Sequence, residues 1–211
     1  MKQSPPDILS SAWAWPAFRR DVFQLVAWGY QQQEAEIRQN HLEENITGLI
    51  RKGINEKLNE DLPPRFQNYF AANEDPVDDA GTLGKGRPIV DIVIESSGSR
   101  PRKRYRLEAK RCALNTHPIS WYVKGIAIFV DCVYAKHSPE AGVIGLVQSD
   151  MASRWTKKLS VKLNKDTSLA SQTPLTDVTL DAGLPQMSVS LHQRKDGSSI
   201  TLYHVFLDCN P

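Results

Sequence analysis

Two short apolar segments near the middle of the chain carry charged residues where a buried strand normally has none. "PIVDIVI" covers residues 88–94 and contains Asp91, and "YRLEAKR" covers residues 105–111 and contains Glu108 and Lys110. The residues between them include "SSGSRPRK", a composition typical of a tight turn. The sequence therefore predicts a β-hairpin whose two strands both hold charges.

The predicted hairpin brings these charges together. Side chains alternate between the faces of a strand, so Glu108 and Lys110 share a face. A turn centred between Ser99 and Arg100 places Asp91 opposite Glu108, and a turn one residue later places it opposite Lys110. In either register, if they share a face, the three side chains form one cluster.

Such a cluster is typical of a metal site. The residues around Asp91 are apolar on both faces, which indicates burial, and buried unpaired charge is too costly to keep without a role. Adjacent carboxylates repel each other, so one must take up a proton or both must bind a cation. Mg²⁺ binds one or two carboxylates and completes its shell with water and phosphate. The alternative is a half-exposed hairpin with Asp–Lys or Glu–Lys pairs across the strands.

The length, charge and cysteine content of the whole chain restrict its function less than the charged hairpin does. Its 211 residues favour a single domain over 1–211, with a core at about 33–150 and a C-terminal helix and hairpin at 150–211. The net charge of +2 means that any basic surface must be local. No membrane-spanning run or secretory signal is visible, and the three cysteines are odd in number and widely spaced. We therefore expect a cytoplasmic protein with reduced thiols and no membrane partner.

The order of the predicted elements favours a mixed α/β (α+β) fold, with a central mixed sheet flanked by helices. The predicted helices cover 17–28, with Pro16 in the first turn, 33–58, a buried helix that begins near Pro118, and a helix with a basic face at about 149–165. Further strands are predicted at 141–148, 187–193 and 199–208, and loops at 61–88 and 167–186.

"PIVD" followed by "LEAK" resembles the PD-(D/E)XK nuclease superfamily, which has the restriction-endonuclease-like fold. That family places its aspartate on the second core strand and the D/E-x-K element on the third. Here the proline stands three residues before Asp91 instead of immediately before it. The resemblance implies that Asp91, Glu108 and the main-chain carbonyl of Ala109 bind Mg²⁺ or Mn²⁺. It also implies that Lys110 acts on the attacking water.

The family also carries a glutamate on a helix before this hairpin. "HLEENITGLI" resembles its E-x-x-I-T form, which maps the glutamate onto Glu43. A helical projection places Glu43 beside the apolar face of the helix, whereas Glu44 points nearly the opposite way. Glu36 is the alternative candidate for this glutamate. The interpretation without a function is that Glu43 is a solvated charge on an amphipathic helix. Glu43 would complete the metal shell or position Lys110.

The resemblance implies a metal-dependent nuclease that hydrolyses phosphodiester bonds, with DNA favoured over RNA and a bacterial defence or restriction system as the setting. Since the sequence contains no obvious domain for recognising nucleic acid, we expect a homo-oligomer or a partner subunit to recognise the substrate. The alternative is a binding or assembly subunit that keeps the fold without cutting. Tyr122 and Lys124 could face the substrate, although core packing and solvation are the simpler readings. The arginine-rich hairpin tip, with Lys85 and Arg87 before it, could contact phosphates.

Overall fold

The computed structural model describes residues 8–76, 88–98, 101–184 and 186–210, without side-chain detail for 8–14 and 73–76. The described residues form a seven-stranded mixed sheet in the order β1-β2-β3-β4-β7-β6-β5. The β3–β4 and β4–β7 pairs are parallel and the other pairs are antiparallel. The strands are β1 Tyr69–Pro76, β2 Ile89–Ser96, β3 Lys103–Cys112, β4 Glu140–Val147, β5 Thr176–Asp177, β6 Met187–Gln193 and β7 Ser199–Asp208.

Helices cover both faces of this sheet, which confirms the predicted mixed architecture. They are α1 Ile8–Gln33, α2 Glu43–Leu58, α3 Ile119–Val130 and α4 Ala152–Lys165. Phe23 of α1 and Ile50 of α2 share a core with Leu107 of β3. Phe129 of α3 and Trp155 of α4 belong to a second core on the opposite face. Side chains of successive strand residues enter the two cores alternately, as the pleat requires.

The predicted hairpin forms, in the first of its two registers. Ile92 pairs with Leu107 and Val93 pairs with Arg106. This register places Asp91 opposite Glu108, at the end of the ladder. Val93 faces the core formed with α3, so the alternation of the strand carries Asp91 to the same face.

Two predicted helices have different bounds. The helix predicted at 33–58 is broken, because α1 runs to Gln33, a 3₁₀ turn follows at Glu34–Glu36, and α2 begins only at Glu43. The side chain of Asn45 accepts a hydrogen bond from the Leu42 amide at 3.2 Å and caps this start. Pro16 lies inside α1 and not in its first turn, because residues from Ile8 onward are already helical.

The loop predicted at 61–88 contains a strand. Its described part forms a 3₁₀ turn at Pro64–Phe66 and then β1, which pairs antiparallel with β2. β1 lies at the edge of the sheet, where backbone pairing holds a strand without an alternating apolar pattern. Lys85 and Arg87 lie outside the described residues.

The remaining elements largely follow the prediction. β4 is buried, α4 is present, and β6 and β7 form a hairpin whose turn contains Gly197 at a φ of 85°. The stretch 167–186 is irregular in its described residues, apart from a 3₁₀ turn at Thr167–Leu169 and the short β5. α3 is less buried than predicted, because Trp121 and Lys124 are exposed. None of the described helices combines the length and the apolar character needed to cross a membrane.

Candidate functional site

The ammonium group of Lys110 lies among three carboxylates. Its Nζ atom is 2.8 Å from Oε1 of Glu43, 2.8 Å from Oε1 of Glu108 and 4.0 Å from Oδ2 of Asp91. The four side chains come from α2, β2 and β3. The structure therefore brings together the four side chains that the sequence singled out, from segments up to 67 residues apart.

Asp91 is held by the backbone of the neighbouring strand. The amide of Ala109 donates a hydrogen bond of 2.7 Å to Oδ2 of Asp91. The described ladder between β2 and β3 ends at the pair Ile92–Leu107, so this amide bonds to a side chain beyond the ladder. The carbonyl of Ala109 accepts a hydrogen bond of 2.6 Å from Nζ of Lys110. Both backbone groups of Ala109 thus face the charged cluster.

Glu43 reaches the cluster from the opposite layer of helices. It is the first residue of α2, and its Oε2 atom accepts a hydrogen bond of 3.0 Å from the amide of Arg111. Its two carboxylate oxygens therefore bind two consecutive residues at the C-terminal end of β3. The two alternative glutamates lie elsewhere: Glu44 is exposed on α2, and Glu36 is exposed on the 3₁₀ turn.

The cluster holds more negative than positive charge in a partly dry environment. Glu108 is only 4% exposed, and its Oε2 atom has no hydrogen-bond partner. Burial, and then the charge of Asp91, raise the pKa of Glu108 to about 8 against the opposing effect of Lys110. Burial likewise raises the pKa of Asp91. Burial alone would lower the pKa of Lys110, but the carboxylates of Glu108 and Glu43 outweigh it and raise that pKa.

The donor set fits a small divalent cation. Among the described residues no three His, Cys, Asp or Glu side chains are arranged to hold a metal ion between them. Mg²⁺ requires only one or two carboxylates, however, and retains water at its other positions. The buried, unpartnered Oε2 of Glu108 is an oxygen donor of this kind, and Asp91 and the carbonyl of Ala109 supply two more. The ammonium of Lys110 balances only part of the negative charge of these carboxylates.

Gly125 of α3 forms the back of the cluster and was not predicted. A Cβ atom at this position would lie 3.3 Å from Cγ of both Glu108 and Lys110. The absence of a side chain therefore lets α3 pack directly on the two charged residues. The available signal was a glycine inside a helix, which costs about 1 kcal/mol relative to alanine and so calls for a packing reason.

Tyr134 is a second residue that the sequence analysis missed. Its hydroxyl donates a hydrogen bond of 2.5 Å to the carbonyl of Ile89, two residues before Asp91. Burial raises the pKa of Tyr134, and the charges of Glu108 and Asp91 raise it further. The phenol thus braces the start of β2 beside the carboxylates. Nothing in the local sequence pattern indicates this contact, which joins a loop to a strand.

The other candidate residues have simpler roles. Tyr122 is fully buried, and its hydroxyl donates to the carbonyl of Val143 or to Nδ1 of His204, so it is a core residue. Lys124 is exposed and lies over the ring of Trp121. At the hairpin tip, two of the arginines bind the buried carboxylate of Glu95.

Comparison of the chain with protein-family models, with curated proteins and with solved structures finds no match. The resemblance to PD-(D/E)XK nucleases remains a prediction.

Proposed function

We propose that the chain is a metal-dependent nuclease with a restriction-endonuclease-like fold, and that it hydrolyses phosphodiester bonds, with DNA as the favoured substrate. One observation carries the proposal: Glu43, Asp91 and Glu108 meet around Lys110 at the end of one strand pair. A purely structural cluster would not need three carboxylates for one ammonium, because buried excess charge lowers stability.

The order of the elements supports this proposal. β1, β2 and β3 are antiparallel neighbours, and α3 then leads to β4, which is parallel to β3. Asp91 lies on the second strand and the Glu-x-Lys element on the third, as the resemblance implies. The preceding helix α2 begins with the glutamate that the resemblance selects.

In the proposed reaction, Asp91, Glu108 and the carbonyl of Ala109 would hold Mg²⁺ or Mn²⁺. The bound ion supplies Lewis-acid chemistry, which activates water and neutralises phosphate charge. The amide of Ala109 orients the Asp91 carboxylate, and Glu43 orients the ammonium of Lys110. Lys110 then donates a hydrogen bond to the attacking water or to a phosphate oxygen on which charge develops.

The decisive experiment is cleavage of plasmid, linear duplex, single-stranded DNA and RNA in Mg²⁺, Mn²⁺ or EDTA. We expect metal-dependent cutting that falls about 100-fold or more in Lys110→Ala and Asp91→Asn. Lys52→Ala is the matched control, since Lys52 is exposed on α2 on the far face of the sheet. Cutting that continues in EDTA, or that is unchanged in both site variants, would contradict the proposal.

A second candidate is a nucleic-acid-binding or assembly subunit that keeps this fold without cutting. The specific observation in its favour is that Nζ of Lys110 lies 2.8 Å from both Glu43 and Glu108, so part of the carboxylate charge is balanced within the chain itself. A thermal-shift titration separates the two candidates. Binding of Mg²⁺ or Mn²⁺ to the folded state raises the melting temperature. A nuclease shows this rise in the wild type and loses it in Asp91→Asn, whereas the non-cutting subunit shows no rise in either protein.

In both cases we propose that a second copy or a partner subunit supplies recognition.

A further inference from the structure

An exposed surface beside the candidate site combines lysines with apolar side chains. We call it the α3–α4 surface; on α3 it comprises Trp121 and Lys124, on the side toward the candidate site, and Ile119, on the side toward α4, and on α4 it comprises Lys157, Val161 and Lys165. Trp121 is 45% exposed and Val161 is 53% exposed, so neither belongs to the core. The ammonium of Lys124 lies 4.1 Å from the centroid of the Trp121 ring. A large exposed indole with one lysine ammonium against its ring has no evident role in the fold.

The α3–α4 surface begins at the rim of the candidate site. Gly125 contacts Glu108 and Lys110, and Trp121 precedes it by four residues, about 6 Å along the helix axis. α3 joins two parallel strands, so it runs opposite to β3, and its first turn lies toward the end of β3.

Direct contacts also join the rim to the site. Nη2 of Arg111, the residue after Lys110, is 2.8 Å from Nε2 of His117. The ring of His117 is 5.4 Å from the ring of Trp121, in an edge-on arrangement. Trp121 is therefore two side-chain contacts away from the residue whose amide binds Glu43.

Farther from the site, α3 and α4 form an open groove of about 380 Å³. Ile119 and Val161 supply its apolar floor. Its rim consists of the four lysines Lys157, Lys158, Lys162 and Lys165. The groove thus offers apolar contact in its centre and positive charge at its edges.

The positive charge of this surface is only partly neutralised. Lys158 pairs with Asp150 at 3.4 Å, and Lys162 pairs with Asp166 at 3.0 Å. In the described part of the chain, Lys124, Lys157 and Lys165 have no acidic partner within 4.0 Å. Although the whole chain carries only +2, this face is locally basic. Its charge is complementary to a polyanion.

We propose that the α3–α4 surface binds a single strand of nucleic acid and guides it to the candidate site. The unpaired lysines contact phosphates, while the indole of Trp121 and the floor of the groove contact base faces. A duplex hides its base faces inside the stack, so it can use only the lysines. The inference rests on the proposed function, since it makes this strand the substrate of the same site.

The test is fluorescence anisotropy in EDTA, where a metal-dependent enzyme cannot cut, with labelled 15-nucleotide DNA, RNA of the same sequence, and duplex DNA. We expect tighter binding of the single strands than of the duplex. Trp121→Ala should weaken single-strand binding about tenfold, and Trp121→Phe should restore most of it, because a phenyl ring still stacks. Phe70→Ala is the matched control, since Phe70 is 43% exposed on the edge strand β1, where it pairs with Glu95, four residues along β2 from Asp91.

The lysines are tested through the salt dependence of binding. Each phosphate contact contributes about 0.7 to the slope of log affinity against log salt concentration for a single strand. The double variant Lys157→Gln/Lys165→Gln should therefore lower the magnitude of the slope by about 1.4. The control Lys52→Gln/Lys57→Gln removes the same charge from α2, on the other face of the sheet, and should leave the slope unchanged.

The inference and the proposed function can fail separately. Equal binding of duplex and single strand, or unchanged binding by Trp121→Ala and the α4 double variant, overturns the inference even if the wild type cuts. Metal-dependent cutting of duplex DNA that the surface variants leave intact also overturns it, while the nuclease stands. Binding that depends on Trp121, with no cutting of any substrate and no rise of the melting temperature in Mg²⁺ or Mn²⁺, supports the single-strand surface and refutes the nuclease.

Discussion

Glu43 and Lys110 form an ion pair of 2.8 Å that joins two layers of the protein, since α2 packs on one face of the sheet and Lys110 projects from the other. The second oxygen of Glu43 binds the amide of Arg111 at 3.0 Å, which fixes the carboxylate in one orientation. Glu43 is therefore placed to position Lys110.

Replacing Glu43 by glutamine should reduce activity at least tenfold, because the ammonium loses the charge that orients it while the hydrogen bond to Arg111 can persist. Glu44→Gln and Glu36→Gln should leave activity unchanged, since both side chains are exposed and away from the cluster. Initial cleavage rates of the three variants, measured at one metal concentration, test this ranking. Equal loss in Glu44→Gln would show that the wrong glutamate has been assigned.

Gly125→Ala should lower activity with little effect on stability. The new methyl group lies 3.3 Å from Cγ of Glu108 and of Lys110, so both side chains must shift by a few tenths of an ångström. Small misplacements of reacting groups can cost up to about 100-fold in rate, and we expect about tenfold here. Alanine favours the helix by up to about 1 kcal/mol, which offsets part of the packing strain. Cleavage rates and melting temperatures of the variant, measured together, check the prediction. Full activity would show that α3 can accept the methyl group without moving Glu108 or Lys110.

Glu108→Gln should abolish metal-dependent cutting and stabilise the fold. The pKa of Glu108 is raised to about 8 from an ordinary value near 4.5, so the wild type loses stability as the pH rises from about 4.5 through 8. Glutamine does not titrate, so its advantage in stability should grow with pH between about 4.5 and 8, by at most about 1.4 kcal/mol per pH unit. Each kcal/mol corresponds to about 2–4 °C in melting temperature for a chain of this size. If the difference in stability between Glu108→Gln and the wild type stays constant between pH 5 and pH 8, the raised pKa of Glu108 is refuted.

A buried hydrogen-bonded chain behind α3 predicts a second pH effect. Ser190 Oγ is 2.7 Å from Nε2 of both His192 and His204, and Nδ1 of His204 is 3.0 Å from the hydroxyl of Tyr122. Nδ1 of His192 is 2.7 Å from the carbonyl of Leu169. Burial, and then the neighbouring His192, lower the pKa of His204 to about 3. Both histidines are held neutral as structural residues.

Acid should therefore destabilise the protein partly through His204. Its unfolded form takes up a proton near pH 6.5 and its folded form only near pH 3, so stability falls as the pH drops between these values. The slope is at most about 1.4 kcal/mol per pH unit for one group. The free energy of unfolding, measured by urea denaturation at pH 7, 6 and 5, should change less with pH in His204→Gln than in the wild type, even if that variant is less stable overall. His137→Gln, at an exposed position, serves as the control and should keep the wild-type slope.

Local patterns in the sequence predicted the parts of the site that lie within single elements. The alternation of β2 and β3 and the composition of the turn narrowed the hairpin to two registers, and the structure has the one that places Asp91 opposite Glu108. Helical projection selected Glu43 over Glu44. Both predictions succeed because the repeats of strands and helices fix which side chains share a face.

The wrong predictions concern features that depend on neighbours in space. β1 was predicted as a loop because an edge strand is held by backbone pairing with β2, which leaves no apolar alternation to read. The helix predicted at 33–58 is broken where the chain bonds to Gln148, just after β4: Nε2 of Gln39 donates to the carbonyl of Gln148, and Nε2 of Gln148 donates to the carbonyl of His41, each at 2.6 Å. In each case a contact outside the local window decided the conformation.

The charges of the site and the strands that carry them were readable from the residues alone, because periodicity and the cost of burying charge act within a few positions of the chain. Only the tertiary structure decided that the amide of Ala109 binds Asp91, that Gly125 closes the back of the cluster, and that Trp121 lies at its rim. These contacts join different elements, and their distances depend on how helices and strands pack across the sheet. Packing of this kind is set by the shape of the whole core, which no short stretch of sequence encodes.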